Sequence, residues 1–117
     1  MPRLLEIRVG AAGDALDRFE AAWNRVAEGR PVRTLHVLTV EDLPALLKTL
    51  SPARLQLLRT LKGAGALTIY ELARRLGRNY KNVHTEVAQL AALGLIERRG
   101  DNLARVPWEV LRAELVL

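Results

Sequence analysis

Residues 67–99 read LTIYELARRLGRNYKNVHTEVAQLAALGLIERR, and their punctuation decides the fold. Thr68 and Glu71 stand three apart ahead of an apolar run. This is the spacing of a capping box, in which threonine and glutamate reciprocally satisfy unpaired helix amides. Ile69, Leu72, Ala73 and Leu76 follow as the inner stripe of a helix. Gly77 can take the left-handed conformation that closes a helix, and Asn79 can cap a new one two residues later. Two helices joined this tightly must turn sharply. The next helix runs from Tyr80 to Leu93, with Val83, Val87 and Leu90 on one face, and ends at Gly94. Leu95 to Arg99, a Gly100-Asp101-Asn102 turn and Leu103 to Val106 then read as a β-hairpin closed at Pro107.

Upstream of this stretch, Ser51 and Pro52 mark another helix start, serine as cap and proline at the first helical position. Leu55, Leu58 and Leu61 form its stripe, and Gly63 and Gly65 stop it. Before it, LPALLKTL after Asp42 reads as a short helix. Near the amino terminus Leu5, Ile7 and Val9 alternate with Glu6 and Arg8, the period of a strand with one buried face. Leu16, Phe19, Trp23 and Val26 recur at helical spacing between Asp14 and Glu28, and β-branched residues make Arg33 to Val40 a second strand. The tail WEVLRAELVL fits a strand by its alternation, with a helix as the alternative.

The expected fold class is therefore α+β: three helices and a hairpin wing over Ser51 to Pro107, preceded by a strand-helix-strand extension. Residues 1–48 form that extension, expected to dimerise, and residues 49–117 form a winged helix-turn-helix with its tail.

The chain has 117 residues, no cysteine and a formal net charge of +5. Absence of cysteine excludes a disulfide framework, a thiolate zinc site and a thiol nucleophile. No stretch approaches the roughly 18 apolar residues of a membrane span, so a soluble cytoplasmic protein is expected. Charge is unevenly placed: residues 51–107 are net +6 and the remainder net −1. A positive module suits a polyanion, because each phosphate it neutralises releases a counterion.

The run quoted above resembles the winged-helix core of MarR-like regulators. More narrowly, SPARLQLLRTL, GRNYKNVHTEV and RVPWEVLRAEL together resemble a family of short prokaryotic MarR-like proteins described as transcriptional regulators or antitoxins. The resemblance implies double-stranded DNA as partner, autoregulation, and a recognition helix in the major groove with the hairpin near the backbone. Carried onto this chain, it implies contacts from Arg78 and Asn79 at the turn, and from Tyr80, Lys81, Asn82, His84, Thr85 and Gln89 along the helix. Arg98, Arg99 and Arg105 would contribute from the wing. Lysine and asparagine suit base edges, and arginine at a turn or wing suits phosphate. A homodimer is expected, since one short recognition helix makes few base contacts. In an antitoxin the partner is a toxin protein, and that alternative stays open.

Structural readings stand beside these. Tyr80 can pack its ring over the turn, and Arg74 and Arg75 can serve the helix dipole. Glu86 would repel phosphate unless it points toward Arg74, Arg75 or the wing. His36 reads as structural. No glycine-rich phosphate cradle, metal-ligand spacing or nucleophile with a nearby base occurs, so neither catalysis nor a cofactor or metal is expected. RNA recognition usually displays stacking aromatics, which are scarce here.

Overall fold

The computed structural model describes residues 3–10, 36–100 and 102–115. The amphipathic segment from Asp14 to Glu28, the start of the second expected strand, Asp101 and the last two residues lie outside them. The described residues form an α+β fold of four helices and two three-stranded sheets.

Strand β1 (Leu4–Val9) buries Leu5, Ile7 and Val9 and leaves the residues between them half-buried, as the period of two requires. It is the centre of the first sheet. Strand β2 (His36–Val40) pairs with it in parallel, Leu5 opposite His36 and Val9 opposite Val40. Strand β6 (Val110–Leu115), the tail, pairs in parallel on its other side, Leu4 opposite Val110 and Val9 opposite Leu115. The tail is thus a strand. Parallel strands of one sheet need a long crossover, and the connection from β2 to β6, which lie on opposite sides of β1, comprises all the helices described below and the second sheet.

Helix α1 (Leu43–Thr49) starts at Asp42, whose carboxylate accepts from the Ala45 amide at 2.9 Å. Helix α2 (Pro52–Ala64) starts at Ser51, whose hydroxyl accepts from the Arg54 amide at 3.3 Å. It buries Leu57, Leu58 and Leu61, with Leu55 only half-buried. The stripe is therefore rotated from the expected one, since i, i+1 and i+4 cover the face turned to the core.

Strand β3 (Ala66–Thr68) was not foreseen, because three residues after a glycine stop carry no periodicity. It lies antiparallel to β5 (Leu103–Arg105), which also pairs with β4 (Glu97–Arg99). Helix α3 (Ile69–Leu76) is capped by Thr68, whose hydroxyl accepts from the Glu71 amide at 3.1 Å. Gly77 closes it at φ 63°, left-handed as expected, with the Arg78 amide donating to the Ala73 carbonyl at 3.1 Å. Helix α4 (Tyr80–Ala92) begins at Asn79, whose side-chain oxygen accepts from the Lys81 and Asn82 amides.

Trp108 fastens the two sheets and the helices together. Its indole N–H donates to the Gly94 carbonyl at 2.9 Å, just beyond α4. The His36 ring meets it edge-on with centroids 4.9 Å apart, and the Arg3 guanidinium lies 5.0 Å from the ring centroid. Only 8% of Trp108 is exposed. Beside it, Glu109 accepts from the Arg3 amide at 2.6 Å and approaches Lys62 at 3.5 Å. Glu109 lies at the surface, and the hydrogen bond from the Arg3 amide comes first in holding its carboxyl below the ordinary range.

Two substitutions test this core. Val87 is fully buried with Val83 and Leu90, so Val87→Asp strands a carboxylate and is expected to abolish cooperative thermal unfolding. Trp108→Ala should cost about 3–5 kcal/mol in denaturant unfolding. Trp108→Phe should cost less, about 1–3 kcal/mol, chiefly by leaving the Gly94 carbonyl without its donor.

Candidate nucleic-acid interface

Helix α4 has two unlike faces. Val83, Val87 and Leu90 are completely buried, whereas Tyr80, Lys81, Asn82, His84 and Thr85 are all exposed. The division follows from helical geometry: three core residues at i, i+4 and i+7 occupy one side, and the polar residues between them take the rest. The exposed residues crowd the amino-terminal half, where the partial positive end of the helix dipole also lies. The Thr85 hydroxyl donates to the Lys81 carbonyl at 3.0 Å, which fixes its rotamer. The Tyr80 and His84 rings lie 5.9 Å apart.

A cleft of about 260 Å³ separates this end of α4 from the β4–β5 hairpin. Tyr70, Tyr80, His84, Arg98 and Asn102 line it, together with Thr68 and Ile69. Three of these residues, Tyr80, His84 and Arg98, are ones the sequence reading selected. Tyr70 and Asn102 it missed. Tyr70 is 68% exposed, and its place off the Ile69, Leu72, Ala73 and Leu76 stripe was a signal that could have found it.

The hairpin does not present its three arginines together. Arg98 stands in register with Ala104, on the side of the sheet that carries the buried Leu67. Arg99 and Arg105 occupy alternate positions, aligned with Leu103 and Glu97 respectively, and so belong to the opposite face. Arg99 also approaches Glu97 at 3.4 Å.

Three other selected residues are engaged within the protein. Arg78 donates to Glu86 at 2.8 Å; that hydrogen bond raises the Arg78 pKa and neutralises the carboxylate that would oppose a phosphate. Its partner was none of the three foreseen for Glu86. Gln89 accepts a hydrogen bond from Arg54 of α2. Asn79 uses its side-chain oxygen as the cap of α4. Lys81 makes no ion pair among the described residues.

The model of the HVO_A0114 family matches residues 49–113, more than half of the chain. The chain belongs to the HVO_A0114 family. The HVO_A0114 match opens just before α2 and closes within β6, so it takes in the candidate interface and Trp108 but not β1 or β2. No curated protein and no solved structure matches the chain. No helix among the described residues is long and apolar enough to cross a membrane.

On α3, Glu71 bonds Arg74 at 2.6 and 3.0 Å and Arg75 at 3.4 Å. The hydrogen bond from Arg74 is the main cause holding the half-buried Glu71 carboxyl below its ordinary range, with Arg75 adding to it. A lowered carboxyl pKa stabilises the fold above the ordinary carboxylate range, and that contribution is lost as the pH falls through the lowered value. Arg74→Ala is accordingly expected to raise the Glu71 titration midpoint measured by NMR. An unchanged midpoint would show that the pair does not hold in solution.

Proposed function

We propose that the chain is a sequence-specific double-stranded DNA-binding regulator of transcription, and that α2, α3, α4 and the hairpin act as a winged helix-turn-helix. The two-faced α4 carries this reading. Its apolar face is committed to the core while its exposed amino-terminal half offers Tyr80, Lys81, Asn82, His84 and Thr85. Such a helix, held by a tight glycine turn, suits insertion into the major groove, where lysine meets guanine and asparagine meets adenine. Arg99 and Arg105 suit phosphates flanking the groove, and Tyr70, at the start of α3, suits a backbone contact through its hydroxyl.

The reading includes a homodimer. A single α4 reads few base pairs, and two copies related by a two-fold axis would address two half-sites about one helical turn apart. The MarR-like resemblance in the recognition helix and hairpin supports the same reading and directs attention to DNA upstream of the chain's own gene.

Fluorescence anisotropy with that upstream duplex and a shuffled duplex tests the proposal. Affinity should fall steeply with salt, by roughly one unit of log-log slope per phosphate contact. Lys81→Ala and His84→Ala should each erode the preference for the upstream duplex by about tenfold or more. Arg99→Ala and Arg105→Ala should weaken both duplexes alike and lower the salt slope by about one each. Equal binding by wild type and a combined Lys81, His84 and Arg99 alanine variant would overturn the reading.

A further inference from the structure

Strand β6 is the outer strand of the first sheet on its side, with β1 as its neighbour. The Val110 amide donates to the Arg3 carbonyl at 3.3 Å, so its backbone groups face β1. Alternation then turns those of Arg112 and Glu114 the same way and directs the N–H and C=O groups of Leu111, Ala113 and Leu115 outward. Among the described residues no strand lies beyond them. An open row of this kind is a template for another strand.

The sequence of the strand identifies what fits it. Val110 to Val116 reads VLRAELV, which is symmetric in chemical character about Ala113. If two copies pair antiparallel with Ala113 on the two-fold axis, Leu111 stands opposite Leu115 and Arg112 opposite Glu114. Ala113 meets itself. This register also uses the outward backbone groups, because Leu111, Ala113 and Leu115 become the hydrogen-bonded pairs. Arg112 and Glu114 become the non-hydrogen-bonded pairs, whose side chains approach most closely. We propose that β6 pairs with β6 of a second copy in this register, joining the two three-stranded sheets into one continuous six-stranded sheet.

Charge on the outer face supports the register. Within one chain Glu6 stands beside Arg112 and Arg8 beside Glu114, and Arg8 bonds Glu6 at 3.1 Å. Placing Glu114 of the second copy next to Arg112 extends the row to Glu6, Arg112, Glu114, Arg8, alternating in sign across the four central strands. Both copies contribute equally, as a two-fold interface requires. The other outer strand, β2, carries no Asp, Glu, Lys or Arg and offers no such complementarity. Val110, 41% exposed, adds apolar area at the end of the pair.

This deepens the homodimer proposed above, and the measurement is made without DNA so that the two readings fail separately. The full chain, Arg112→Glu and Glu114→Arg are compared by sedimentation equilibrium, with thermal unfolding as a check that each variant is folded. Wild type should be dimeric. Each variant alone sets like charges opposite one another twice per dimer, and should raise the dimer dissociation constant by about thirtyfold. Mixing the two variants makes both cross-pairs complementary again and should restore a dimer. The mixture leaves the repulsion that each variant creates against β1 unrepaired, so recovery reads the interface and not the fold. A dimer indifferent to both single variants, or variants that stay monomeric when mixed, would overturn the β6 interface while leaving a two-fold DNA reading intact. A monomeric wild type would overturn both.

Discussion

The hydrogen bond from the Trp108 indole to the Gly94 carbonyl ties the segment that leads into β6 to the end of α4. Gly94, at φ 84°, ends α4 and exposes its carbonyl. Trp108 follows the hairpin and immediately precedes β6. His36, the first residue of β2, and Arg3, immediately before β1, cover the ring. One side chain therefore sets how the parallel sheet stands against the helices, and a buried indole N–H without a partner would carry a substantial penalty. The neighbouring contacts of Glu109 with the Arg3 amide and Lys62 pin the same corner from the solvent side.

From that corner the chain closes on itself. Strands from the two ends of the described chain lie side by side in one sheet, and everything from α1 to the hairpin is the connection between them. A boundary near residue 48 is thus a boundary in sequence, while β6 belongs spatially with β1 and β2. The same arrangement means that a fragment ending at Pro107 would lose Trp108 as well as β6, and with them part of the packing of the helical unit.

The candidate interface depends on how charge is distributed after folding. Of the basic residues between Ser51 and Pro107, Arg74 and Arg75 share Glu71, Arg78 is held by Glu86, and Arg99 lies near Glu97. These pairs are mostly solvent-exposed and contribute little stability. Their larger effect is on the field: each of these carboxylates is paired with an arginine, while Lys81 makes no ion pair among the described residues. The cleft between that end and the hairpin is lined by two tyrosines, a histidine and an arginine, a set able to stack on flat rings and to donate hydrogen bonds to anionic oxygen.

The sequence by itself determined the local elements, and did so where a short-range interaction carries the signal. Ser51, Thr68 and Asn79 cap helices through amides two or three residues away, Gly77 closes one through its left-handed backbone, and the alternation of Leu5, Ile7 and Val9 marks a strand. The unlike faces of α4 followed from period alone, whereas Arg98, Arg99 and Arg105, read together as wing residues, are divided between the two faces of the hairpin. Tertiary structure decided the rest. The short β3 exists only because β5 is there to pair with it, and the tail is a strand because β1 accepts it. Which side Arg105 takes depended on the hairpin register, and the partners of Arg78, Gln89 and Trp108 lie 8, 35 and 14 residues away. Periodicity specifies which face of an element is apolar. It does not specify which distant element will cover that face, and the long-range contacts are fixed only by packing the whole.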